Sequence, residues 1–103
     1  MKIKHMQEDV HNWVSQNGGY WPPLSMMARL TEEVGELARE INHVYGMKKR
    51  KPEEKINHIS GEIGDVLWTL LCLSNALNIN LEDSYSQTIN KLDKRYKKDT
   101  KGK

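Results

Sequence analysis

Two long apolar stripes at helical spacing constrain this chain more than any other feature. Met27, Leu30, Val34, Leu37, Ile41 and Val44 recur at alternating intervals of three and four, and Ile56, Ile59, Ile63, Val66, Leu67, Leu70 and Leu77 follow the same rule. That period lines up one side of an α-helix and conflicts with the two-residue alternation of a half-buried strand. The punctuation between stripes agrees. The Gly18-Gly19 pair closes a first helix over about residues 5–16, and Gly46 stops the second, which starts near Ser25. Pro52 suits the first turn of the third helix, which reaches Leu77. Asn80, with Asp83 three residues on, reads as the N-cap of a fourth helix carrying Tyr85, Ile89, Leu92 and Tyr96. The expectation is an all-α fold: a bundle of about four helices in a single domain over residues 1–97, then a basic, disordered tail at 98–103. Leu71 and Leu73 widen the third stripe beyond one face, and two long plus two short helices make a thin bundle. A second copy of the chain is therefore expected to complete the core.

At 103 residues the chain is too short for two ordinary cores. Its 37% hydrophobic and 29% charged residues exclude a disordered chain, and no apolar run approaches the roughly 18 residues that cross a bilayer. The first ten residues contain Lys, His, Glu and Asp where a signal peptide needs an apolar stretch. Cys72 stands alone, so no intrachain disulfide forms, and the cytoplasm is the expected compartment.

The formal net charge of +2 hides segregation. Glu32, Glu33, Glu36 and Glu40 crowd the second helix, residues 48–51 read KKRK, and seven Lys or Arg occupy residues 91–103. With Leu30 at zero on a helical wheel, Glu33, Glu36 and Glu40 fall at about −60° to −120°, along one border of the stripe, while Glu32 points to solvent. With Ile63 at zero on the third helix, Glu62 and Asp65 fall at about −100° and −160°, in one column with His58 and Thr69. Antiparallel packing of the two helices sets Glu33/Glu36 against Glu62/Asp65. One i, i+3 acid pair is usually a solvated face. Two pairs bordering adjacent stripes would repel one another and weaken the fold unless a divalent cation joins them. All-oxygen ligation suits Mg²⁺, for which Mn²⁺ can substitute, rather than Zn²⁺. A di-iron carboxylate bundle needs two Glu-x-x-His pairs, and only Glu40-x-x-His43 qualifies.

On the fourth helix Lys91, Arg95 and Lys98 share a column about a turn apart, an arrangement that grips phosphate oxygens. Trp21, in the loop before the second helix, is a candidate for stacking on a base, equally readable as a plug with Pro22 and Pro23. Trp13 and Trp68 read as packing residues. Trp68 and Cys72 fall off the main stripe, where a subunit contact would cover them.

Glu32-Glu33-x-x-Glu36, twenty-five residues, then Glu62-x-x-Asp65 resembles the EExxE…ExxD signature of the MazG-like nucleotide pyrophosphohydrolases, of the all-α nucleoside triphosphate pyrophosphatase superfamily. Leu30–Ile41, Gly61–Asp83 and Asn90–Tyr96 resemble that family's three blocks in order, so the likeness covers residues 20–96. Leu92 departs from it where Phe is common. The resemblance implies a helical bundle completed as a homodimer or homotetramer, and Mg²⁺-dependent hydrolysis of a nucleoside triphosphate between its α and β phosphates. By position it implies Glu33, Glu36, Glu62 and Asp65 as metal ligands and catalytic acids, and Lys91 and Arg95 as phosphate-binding residues. Such an enzyme can serve nucleotide-pool house-cleaning. The competing expectation is a non-catalytic helical interaction module that docks through KKRK and the basic tail. Nucleic-acid binding fits poorly, because the basic tail lacks interleaved aromatic residues and the second helix is acidic.

Overall fold

The computed structural model describes residues 1–46 and 55–101, and side chains other than those of 55–57 and 98–101. KKRK, Pro52 and the last two residues lie outside that set. Four helices follow in order: α1 (Ile3–Gln16), α2 (Pro23–Tyr45), α3 (Lys55–Ala76) and α4 (Leu81–Lys101). The fold class is all-α, as the stripes require. α4 continues to Lys101, past the point where the sequence suggests a tail.

Each boundary has a local cause. α1 closes with Gly18 at φ 101° and the Gly19 amide donating to the Val14 carbonyl. A left-handed residue there lets two amides turn back onto the last turn. Asn78, at φ 55°, does the same for α3, with the Ile79 amide donating to Ser74 O at 2.8 Å. Pro23 opens α2, where its missing N–H costs nothing. The Asn80 side chain caps α4, its Oδ1 accepting from the amides of Glu82 (2.9 Å) and Asp83 (3.3 Å).

α2 and α3 form an antiparallel hairpin, and α1 packs on one end of it. Val10 and Val14 of α1 meet Met26, Leu71 and Cys72 in a small core edged by Met6, Tyr20, Leu73 and Leu81. Gln7 ties the same end together. Its Nε2 donates to Asn75 Oδ1 and Ile79 O, its Oε1 accepts from the Leu81 amide, and Asn75 Nδ2 donates to its carbonyl. Gln7→Ala leaves these partners partly unsatisfied. We expect thermal denaturation to show a loss of about 1–3 kcal/mol, with α4 loosened from its anchor.

The burial pattern departs from the wheel. Buried positions of α2 and α3 include Glu33, Glu40, Thr69 and Ser74, while Met27, Val34, Ile41, Ile63, Leu67, Leu70 and Leu77 are exposed. Because α1 covers the flank of the hairpin rather than its stripes, the acidic border turns inward and the apolar stripes turn out. Cys72, expected at a subunit contact, lies in the chain's own core. The radius of gyration is 17.5 Å, against about 13 Å for a compact chain of this length.

Candidate active site

The long helices bring their acids together at mid-length. One carboxylate oxygen each from Glu33, Glu62 and Asp65 lies within 4.8 Å of the others. Glu33 is 2% exposed. Its Oε1 takes an ion pair from Arg29 Nη2 at 2.6 Å, one turn earlier on α2, while its Oε2 is buried with no hydrogen-bond partner. Glu62 Oε2 is buried and unpartnered as well. Burial raises the Glu62 carboxyl above its ordinary range, and the charges of Glu36, Asp65, Glu33 and Glu40 raise it further. Thr69, one turn after Asp65, spends its hydroxyl on the Asp65 carbonyl at 2.8 Å.

Glu36 stands outside this trio. It lies about 60° further round α2 than Glu33 and is solvent-exposed, yet close enough to act on Glu62. Glu40 is buried and lies 4.0 Å from His43 Nδ1. Lys91 and Arg95 are not brought to the acids within the chain. α4 packs on α1 rather than across the α2–α3 hairpin, and both side chains are exposed.

A cavity of about 370 Å³ opens beside Glu33 and Asp65. Trp21 lines it, as do Trp13 and Trp68, whose rings meet edge to face at 5.3 Å. Met26, Thr69 and Cys72 also line it. The sequence reading treated Trp13 and Trp68 as packing residues. The available signal was position: Trp68 is one turn from Asp65, and Trp13 lies one turn before the glycine pair that admits Trp21.

Hard oxygen donors converging with two inward-facing, unpartnered atoms suit a hard divalent cation. An aromatic cavity next to such a cluster suits a flat ring joined to an anionic chain. A helical fold carrying these elements is that of a metal-dependent enzyme acting on a nucleotide. Residues 22–100 match the MazG nucleotide pyrophosphohydrolase domain, and the chain belongs to that family. It is 48% identical over 96 residues to the uncharacterized protein YpjD of Bacillus subtilis (strain 168), covering 92% of this chain and 86% of the relative. The crystal structure of Bacillus subtilis YpjD superposes with a TM-score of 0.82 at 48% identity, covering 88% of this chain and 94% of that one. The Bacillus-conserved MazG protein, a nucleotide pyrophosphohydrolase, gives a TM-score of 0.78 at 47% identity, covering 89% and 90%. No helix among the described residues is long and apolar enough to cross a membrane.

Proposed function

We propose that the protein hydrolyses a nucleoside triphosphate between its α and β phosphates, releasing the monophosphate and pyrophosphate, with Mg²⁺ (or Mn²⁺) held by Glu33, Glu62 and Asp65. One observation carries this reading: an acidic trio with two unpartnered inward oxygens beside a cavity walled by three indoles. Bound there, the cation would polarise a phosphoryl oxygen and favour ionisation of an attacking water. Arg29 fixes the Glu33 carboxylate, so that ligand is set before substrate arrives. Glu36, exposed at the rim and without an ion pair among the described residues, is the carboxylate placed to accept the proton of that water. Lys91 and Arg95 offset charge on the departing pyrophosphate. Trp21, Trp13 and Trp68 hold the base.

The working unit in this reading is a homodimer, or a tetramer built from it, in the cytoplasm. Seven apolar side chains of the α2 and α3 stripes face solvent in the single chain. Completing the burial of each is worth roughly 1 kcal/mol, enough in sum to hold a symmetric pair.

The test is a pyrophosphate-release screen over canonical and modified nucleoside triphosphates, with Mg²⁺ and with chelator. Release from at least one triphosphate, lost on chelation, is expected; no release from any of them sinks the proposal. In the same assay Trp68→Ala and Trp21→Ala should each raise KM about tenfold, in line with the loss of one stacking surface. The thermal shift produced by Mg²⁺ alone should be retained. Unchanged KM in both variants would remove the base from this cavity.

A further inference from the structure

We infer that each site is shared between two copies of the chain: the partner subunit's Lys91 and Arg95 close over the Glu33–Glu62–Asp65 trio. The inference rests on the pyrophosphohydrolase reading for the role of those cations, but its geometric ground is separate. α4 is anchored only at its start, by the Asn80 cap, the Gln7 bond to the Leu81 amide and the seating of Leu81 against the core. From Tyr85 to Lys97 every side chain is exposed, the apolar positions Tyr85, Ile89 and Leu92 included. A helix with an apolar stripe and a basic flank, standing off its own bundle, is built to lie on another surface.

The surface that fits it belongs to a second copy. The α2–α3 hairpin offers exposed apolar stripes, which α1 does not cover, and beside them the acids. Within the chain the trio has one counterion, Arg29, which reaches only Glu33. Lys91 and Arg95 make no ion pair among the described residues. Excess acid on one face and unspent cations on an arm are complementary between copies, and a two-fold axis satisfies both sites at once. A unique partner protein would satisfy only the arm and leave the stripes of the hairpin to find another cover.

The test is subunit complementation. Glu62→Gln and the double variant Lys91→Gln/Arg95→Gln are made separately, each expected to lose activity at least a hundredfold. The two chains carry different affinity tags, and mixed dimers are formed by co-expression. A shared site predicts recovery of roughly one quarter of wild-type activity, because half of the dimers are mixed and each mixed dimer holds one intact site and one doubly damaged site. Mixed dimers that recover nothing above their parents would overturn the proposal. A second measurement does not depend on turnover. In a Cys72→Ala background, chains bearing Glu36→Cys are mixed with differently tagged chains bearing Arg95→Cys and treated with a short bismaleimide. Crosslinks that carry both tags support the shared site, and crosslinks confined to single chains carrying both substitutions refute it. If the wild type released no pyrophosphate from any triphosphate, the pyrophosphohydrolase reading would fall, and the crosslink would still decide where α4 sits.

Discussion

Replacing Glu62 by Gln is expected to lower pyrophosphate release by about three orders of magnitude or more, while making the metal-free protein more stable. The two effects have one origin. Glu62 lies between Glu36, Asp65, Glu33 and Glu40, with one carboxylate oxygen buried and unpartnered. Its carboxyl is raised by burial first and by those neighbours second. The folded chain therefore holds this proton more tightly than the unfolded chain does. The associated stabilisation is fully present below the ordinary carboxylate range and is lost as pH rises through the raised folded value. At neutral pH without metal, an ionised Glu62 works against folding. Gln keeps the shape and drops the charge, so the melting temperature in chelator should rise by a few degrees and lose part of its acid dependence. Adding Mg²⁺ should reverse the ranking, stabilising the wild type strongly and the variant weakly. Thermal melts in chelator and in Mg²⁺ across pH 4 to 8, run beside the release assay, check each part. Full turnover in the Gln variant at saturating Mg²⁺ would end the assignment of Glu62 to the metal. A lower melting temperature in chelator would show that its charge is compensated.

Much of this architecture was legible because it depends on local chemistry. Gly18, Asn80 and the apolar periods specify helix ends and helical faces within a few residues of chain, and the structure places those ends accordingly. The pairing of α2 acids with α3 acids was legible too, since a wheel for each helix and an antiparallel crossing are enough to set Glu33 against Glu62 and Asp65. The rest depends on the third neighbour. A wheel shows that acids border a stripe, but not which flank α1 will cover. That choice buries Glu33 and Glu40, leaves Glu36 outside the trio and turns Leu67 and Ile63 outward. Trp13 and Trp68 were missed for the same reason, because their edge-to-face contact joins α1 to α3 over a long separation in sequence. Gln7 reaches Asn75 and Leu81 across a still longer one, and nothing near Gln7 in the chain announces those partners.

Leu67→Glu is expected to turn the protein into a folded, inactive monomer. Leu67 sits on the outward stripe of α3, 39% exposed, and takes no part in the chain's own core of Val10, Val14, Met26, Leu71 and Cys72. A carboxylate there costs the isolated chain little, since the side chain can stay in water. In a symmetric dimer the same charge enters the apolar contact, and where the two copies lie near the axis it meets its own image. Association should weaken by several orders of magnitude, and activity should fall with it if α4 of one chain completes the site of the other. Leu71→Glu is the contrast. Leu71 is 4% exposed within the single-chain core, so the charge should unfold the chain outright. Light scattering, helical circular dichroism and the release assay separate the outcomes. A Leu67→Glu protein with native helicity, a mass near the 12.0 kDa of one chain and no turnover is the expected result. A Leu67→Glu protein that stays dimeric would show that the stripe is not the interface. A fully active monomer would show that one chain suffices.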